Sequence, residues 1–177
     1  MKKELFSIPY YHYSLDNWEE KKEKLLSIYN FTSKKINQNV ITNWDEDSKD
    51  SSMILDEVFN ILEPDINKFS YDIEYNFIIK YFWFQEYLNG MDHSCHTHGS
   101  IGYSSVLYIN FDEKEHNPIN FISPFICPFV GTPMYFSPKI KEGDIIFFPS
   151  NILHYVPVNK SNKSRLICSF NLEKPKK

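Results

Sequence analysis

Apolar residues recur at helical spacing in the first part of this 177-residue chain and at strand spacing after about residue 75. Trp18, Leu25, Leu26 and Tyr29 share one helical face, with the charged run EEKKEK on the other. Asp16-Asn17-Trp18-Glu19 reads as a capping box that starts this helix, with Asp16 as the cap. Ahead of it, Leu5 to Tyr11 is short and aromatic and fits an edge strand. Residues 31–51 are rich in Asn, Lys, Asp and Ser and read as loop. A second helix is expected from Ser52, with Ile54, Leu55, Val58, Ile61 and Leu62 on one face. Pro64 either ends it or opens a further turn through Ile66 and Phe69.

From Tyr75 the pattern changes. YNFIIKYFWFQEY is aromatic and β-branched without helical polarity, so it reads as a strand that Gly90 breaks. Tyr103 to Phe111 is a second strand, turned by DEKEHNP, and Ile119 to Ile122 is a short third. Residues 123–138 form a proline-punctuated loop, exposed enough to serve as a lid or a partner site. Gly143-Asp144 is a turn feeding the apolar strand Ile145 to Phe148. His154 to Val158 and Arg165 to Leu172, joined by NKSNKS, complete the set. Two helices ahead of many short strands predict a mainly β fold, a sandwich or barrel with the helices packed against the sheet. No repeat or linker interrupts the pattern, so residues 1–177 are expected to form a single domain, with a helical front over 1–72 and a β core over 73–177.

Composition removes several classes of function. The net charge is −4, and Lys and Arg are scattered without a basic helix or stripe, so nucleic acid is not an expected partner. Aromatic residues make up 17% of the chain, which suits a packed core rather than disorder. Three cysteines, at 95, 127 and 168, are an odd number without CxxC spacing, which argues for a reducing compartment. No apolar run reaches the ~18 residues of a membrane span, and Glu4 breaks any leader-like start. The expectation is a cytoplasmic protein with neither a membrane nor a nucleic-acid partner; the oligomeric state is not legible.

The informative stretch is GMDHSCHTHGS, residues 90–100, which holds three of the six histidines. His96 and His98 sit two apart, so an extended backbone places both imidazoles on one face. His154, after the strand GDIIFF and a proline, is a candidate third ligand. His12, His93 and His116 are expected to be ordinary surface or satisfied histidines, and Cys95 is a weaker ligand candidate. Imidazoles suit iron, zinc, copper or nickel, and three protein ligands leave positions open for substrate. A carboxylate in place of His98 would give the facial triad of non-haem iron oxygenases; the histidine leaves the metal more positive.

Arg165 is the second clue. Alternation on RLICSFNL puts Arg165, Ile167, Ser169 and Asn171 on one face and Leu166, Cys168, Phe170 and Leu172 on the other. If the second face packs on the helices, Arg165 points into the barrel near His154. A buried guanidinium needs an anion, either a ligand carboxylate or a protein acid such as Asp144.

Taken together, HTH at 96–98, GDIIFFPSNILH at 143–154 and RLICSFN at 165–171 resemble the 2-oxoglutarate/Fe(II)-dependent oxygenases. The similarity is to the branch, frequent in marine bacterial and phage genomes, that carries His-x-His in place of His-x-Asp. It takes in WF at 83–84, SSVLYI at 104–109 and, loosely, LFSIPYY near the start. The resemblance implies a double-stranded β-helix, or jelly-roll, with Fe(II) held by His96, His98 and His154. It implies that Arg165 grips the distal carboxylate of 2-oxoglutarate, with Tyr108 as a second donor. The family's Arg-x-Ser is Arg165-Leu166-Ile167 here, so Ser169 stands in as the candidate hydroxyl. The implied reaction uses O2 to decarboxylate 2-oxoglutarate to succinate and CO2 while hydroxylating a small-molecule or peptide substrate.

Two other readings share these residues. Gly90, His96, His98, Gly143, Pro149 and His154 also fit parts of the two cupin motifs, although Gly102 and Tyr103 occupy the place of the expected glutamate. A cupin-like protein would be a metal enzyme or small-molecule binder without 2-oxoglutarate. The remaining reading is a non-enzymatic interaction protein with a vestigial metal site. No phosphate-binding glycine loop or serine nucleophile elbow competes with these.

Overall fold

The computed structural model describes residues 7–44 and 51–175, with the side chains of residues 51–53 left aside. Eleven strands and two helices follow one another as β1 (Tyr11–Ser14), α1 (Trp18–Phe31), β2 (Lys35–Asn37), β3 (Val40–Thr42), α2 (Ser51–Asp72), β4 (Ile78–Tyr87), β5 (His93–His96), β6 (Tyr103–Asn110), β7 (Asn120–Ile126), β8 (Pro133–Phe136), β9 (Asp144–Pro149), β10 (His154–Val156) and β11 (Arg165–Glu173). The strands form a seven-stranded sheet in the order β1-β9-β6-β11-β4-β3-β2 and a four-stranded sheet in the order β5-β10-β7-β8. Every pairing is antiparallel. This is the mainly β, jelly-roll arrangement expected, with both helices against the larger sheet.

Alternation along the central strands divides the interior into two cores. Phe82, Phe84, Leu107, Ile109, Ile145, Phe147, Leu166, Cys168, Phe170 and Leu172 face the helices and pack with Leu25, Val58, Leu62, Ile66 and Phe69. Their neighbours Tyr87, Val106, Tyr108, Ile146, Phe148 and Ile167 face the smaller sheet and pack with Ile119, Phe121 and Val156. A sheet covered on both faces explains why YFWF, SSVLYI and IIFF read as nearly continuous apolar runs. Burying each of these large side chains stabilises the fold by about 1.5–3 kcal/mol. Phe69 of α2 stacks on Phe147 with ring centroids 4.2 Å apart and docks that helix on the sheet.

Several local expectations differ from the structure. The start of α1 is not a capping box: Asn17 precedes the helix in a left-handed conformation (φ 53°) without a side-chain cap, and Asp16 accepts a hydrogen bond from Lys68 instead. Within the polar stretch 31–51, β2 and β3 form a hairpin that extends the large sheet beyond β4. The helical front over 1–72 thus also contributes β1, β2 and β3 to that sheet. Of the two readings of Pro64, the further turn through Ile66 and Phe69 holds, since α2 runs through the proline to Asp72. The broken backbone bond costs about 3 kcal/mol, and burial of Ile66 and Phe69 in the next turn offsets it. The expected loop 123–138 is a hairpin in part, with β7 reaching Ile126 and β8 pairing back on it. Among the described residues no helix is long and apolar enough to cross a membrane. Leu5, Phe6 and the end of the KPKK tail lie outside the described residues, and the edge strand begins later than expected, at Tyr11.

Candidate metal centre

The three histidines singled out by spacing meet in space. One ring nitrogen from each of His96, His98 and His154 lies within 4.8 Å of the others. Pairing of β10 with β5 sets His154 directly opposite His96. His98 lies just past β5, where its backbone N–H donates to the Ser150 carbonyl at 2.9 Å.

Backbone carbonyls orient two of the rings. His96 Nδ1 donates to the Ser94 carbonyl at 2.7 Å and His154 Nδ1 to the Ile152 carbonyl at 2.8 Å. A proton fixed on Nδ1 leaves the Nε2 lone pair free, the form in which imidazole binds a metal. His98 Nε2 and His154 Nε2 stand 3.1 Å apart. Two nitrogens bonded at about 2.1 Å to one ion lie roughly 3.0 Å apart at a right angle and about 3.4 Å apart at a tetrahedral angle. The separation therefore fits a shared ion. Burial keeps the rings neutral: it pushes His98 and His154 down to about 3 and lowers His96 as well, with neighbouring imidazoles adding to the shift at His98 and His154. Trp83 stacks on His98, and Phe121 and Phe148 flank His154, which fixes the ring planes.

Arg165 opens β11 and is almost fully buried, at 1% exposure. Its guanidinium lies over the Tyr87 ring, 4.5 Å from the centroid. Its Nη1 and Nη2 groups donate to the carbonyls of Asn117 and Pro157, while Nε has no partner. Asp144 does not neutralise it: that carboxylate accepts from Ser14, His12 and the Lys141 backbone. Among the described residues no acid forms an ion pair with Arg165. Burial lowers its pKa from the ordinary guanidinium value, yet the group stays cationic. A buried cation held by carbonyls and a ring face is electrostatically suited to an anion.

One pocket contains all of these groups. It is lined by His93, His96, His98 and His154, by Arg165, Tyr108, Ser169, Gln85 and Asn117, and by Val106, Ile119, Val156 and Ile167. The free space is about 20 Å³, little more than one water molecule requires. A larger ligand must spread these side chains. Tyr108 accepts a hydrogen bond from the Ile119 backbone at 3.2 Å, and its hydroxyl proton has no acceptor among the described residues. Ser169 makes a long hydrogen bond, 3.5 Å, to Gln85 Oε1. Cys95 is exposed and outside the histidine cluster. His12 and His116 are satisfied as expected, by Asp144 and by the backbone of Asp112 and Lys163.

Sequence reasoning missed His93 and Gln85. His93 stacks on His96 at 4.2 Å, and Gln85 Nε2 donates to its Nδ1 at 2.9 Å. His93 stands an odd number of residues from His96, so strand parity gave no reason to bring it to the site. Gln85 carried a usable signal, since alternation puts it on the same face as Trp83 and Tyr87.

Comparison with known proteins agrees with this geometry. Residues 81–171, more than half of the chain, match a family described as "Putative 2OG-Fe(II) oxygenase". No curated protein sequence matches the chain. Solved structures with the same fold include the non-haem alpha-ketoglutarate-dependent epimerase SnoN of nogalamycin biosynthesis, at 12% identity and TM-score 0.74, covering 94% of this chain and 78% of that one. HygX from Streptomyces hygroscopicus, solved with nickel, 2-oxoglutarate and hygromycin B, superposes with TM-score 0.70 at 9% identity, covering 95% and 84%. A Pseudomonas putida prolyl-4-hydroxylase gives TM-score 0.62 at 11% identity, covering 95% and 94%. The jelly-roll sheets, the histidine cluster and the matched sequence lead to one assignment, and the chain belongs to the 2OG-Fe(II) oxygenase family.

Proposed function

We propose that His96, His98 and His154 hold the Fe(II) and that Arg165 receives the distal carboxylate of 2-oxoglutarate, so that the chain hydroxylates a small molecule or peptide. The observation that carries this reading is the pairing of a convergent imidazole cluster with a buried guanidinium that has no acidic partner, in one pocket. When bound, iron and 2-oxoglutarate together supply the oxidising power for C–H hydroxylation, with O2 as the oxidant and succinate and CO2 as products.

The chain's own part is binding, orientation and exclusion of water. Carbonyls of Ser94 and Ile152 aim the imidazole lone pairs. Arg165 offers its Nε to a carboxylate, and the Tyr108 hydroxyl supplies a further donor. Val106, Ile119, Val156 and Ile167 line the pocket with hydrocarbon, which strengthens each charged contact inside. Ser169 acts through Gln85 and His93 in this reading as well as being a candidate donor to the cosubstrate. Residues 1–177 work as a single domain, since hydrophobic packing joins the helical front to the sheet that carries the pocket. Three free cysteines fit a cytoplasmic location.

The test is anaerobic titration of Fe(II), then 2-oxoglutarate, into metal-free protein, followed by calorimetry and visible absorbance. One metal per chain is expected, with 2-oxoglutarate binding only after it and adding a charge-transfer absorbance. His154→Ala is expected to lose the metal. Equal metal occupancy in that variant and the wild type would sink the ligand assignment. Metal binding without any 2-oxoglutarate binding would leave a cupin-like site instead.

A further inference from the structure

A second cleft opens beside the metal pocket and shares Gln85, His93, His96 and His98 with it. Its far wall is the β2–β3 hairpin, through Asn37 and Gln38, and its side wall is Trp44 and Trp83. Resting on the function proposed above, we propose that this cleft seats the substrate to be oxidised and selects an uncharged, polar ring compound of about the size of one sugar unit.

Position comes first. A ligand in the cleft touches two of the three imidazoles that face the metal pocket, so it sits next to the reacting centre without displacing the cosubstrate side. Size comes next. The free space is about 240 Å³, somewhat below the 300–1,000 Å³ of sites for drug-sized ligands, which suits a single ring.

Chemistry then narrows the class. Among the described residues, no Lys, Arg, Asp or Glu lines the cleft. A charged ligand entering it would give up hydration without meeting a counter-ion among these residues, which is unfavourable. The walls instead combine aromatic surface with neutral hydrogen-bonding groups. Trp44 and Trp83 meet edge to face with centroids 4.7 Å apart. The side-chain amides of Asn37 and Gln38 make no hydrogen bond to the protein among the described residues, so their donors and acceptors are free for a ligand.

Two details indicate that these groups are placed for binding. Gln38 has a left-handed backbone, φ 53°, at the tip of a two-residue hairpin loop. The tight two-residue turn requires that conformation, and it holds the Gln38 side chain at the hairpin tip on the rim of the cleft. His93 is the second detail. The amide of Gln85 can only donate through Nε2, so His93 Nδ1 must accept, and its proton sits on Nε2. Ser169 holds the other end of that amide through Oε1. His93 therefore brings a fixed N–H donor, without a partner at Nε2 among the described residues, to the boundary between the two pockets, where a substrate hydroxyl or carbonyl can accept it.

The experiment uses ¹⁵N-labelled full-length protein loaded with diamagnetic Zn(II) and follows the three indole N–H signals. Trp44 and Trp83 line the cleft, whereas Trp18 packs against Gly143 far along the chain and serves as the control. Methyl glucoside, glucuronate and glucosamine are titrated as neutral, anionic and cationic probes of one ring size. The neutral probe is expected to shift Trp44 and Trp83, but not Trp18, saturating in the millimolar range. Both charged probes are expected to bind at least ten-fold more weakly. Gln38→Gly, which relieves the backbone and removes the amide, should weaken the neutral probe at least three-fold while leaving 2-oxoglutarate binding unchanged. Equal or tighter binding of a charged probe overturns the proposal, as does silence of both cleft indoles. The Arg165 Nε–H signal, read with 2-oxoglutarate in the same sample, separates the two readings. If it moves while the cleft indoles stay silent, the cleft proposal falls alone. If it stays unmoved, the function beneath it fails and the proposal falls with it.

Discussion

Arg165 is an unusual residue to bury without an acid beside it, and its energetics set a sharp expectation. In the ligand-free protein the guanidinium has exchanged water for two carbonyls and a ring face. Replacing it by Met, of similar length, removes that burden. Arg165→Met is therefore expected to unfold no more easily than the wild type, or to gain about 1 kcal/mol or more. It should also lose at least ten-fold in 2-oxoglutarate affinity and keep its metal. Thermal unfolding with and without 2-oxoglutarate checks both, since a ligand raises the stability only of a protein that binds it. The histidines give a second residue-scale prediction. His98 and His154 are held near 3, below their ordinary 6.5, by burial. A lowered pKa means that the unfolded chain binds more protons between those limits. Stability is then fully present above about pH 6.5 and is lost as pH falls toward 3. Metal-free protein should lose roughly 2–4 kcal/mol in urea unfolding between pH 6.5 and pH 4, the two histidines acting as a pair. A His98→Asn/His154→Asn double variant should show a flatter profile, and an unchanged slope would contradict this account.

Among the elements, the strands were legible and the exceptions have physical causes. The face of β11 was readable from alternation alone: Leu166, Cys168, Phe170 and Leu172 pack on the helix side, and Arg165, Ile167 and Ser169 line the pocket. The hairpin β2–β3 was not, because three-residue strands at an edge need few apolar positions; only Val40 and Thr42 are buried. The start of α1 misled because Asp16 has a partner outside its own helix, Lys68 of α2, that local pattern cannot reveal. His96, His98 and His154 were brought together by the register of β5 on β10, which sequence spacing only hinted at. Gly102, at the start of β6, marks how tightly that strand passes β11. Its φ is +90°, and an added Cβ would lie 2.3 Å from the Leu172 carbonyl oxygen. Gly99 has φ +112° but open space around it. Gly102→Ala should cost roughly 3 kcal/mol, against about 1 kcal/mol for Gly99→Ala. Comparing their urea midpoints separates steric conflict from backbone strain; equal costs would mean that β6 shifts freely past β11.

At the scale of the molecule, the large sheet separates support from chemistry. One face carries the helices and an aromatic core built around Phe69, Phe147 and Tyr11. The other carries the pocket. Alternate residues of the same strands serve the two sides, so the support cannot change register without turning the pocket inside out.

The central place of β11 has a consequence for how the protein is made. It alone joins β6 to β4, and with them the two halves of the seven-stranded sheet. Yet the other described strands all precede it in the chain. A ribosome emits the sheet as β1-β9-β6 and β4-β3-β2, two three-stranded pieces with unpaired edges facing each other, until residues 165–173 emerge. During that interval the apolar rows of both pieces stand exposed, and the guanidinium opposite the histidines does not yet exist. Metal captured early by the histidines would sit in half a pocket, and the nascent chain would depend on speed or on chaperones to reach β11 unaggregated.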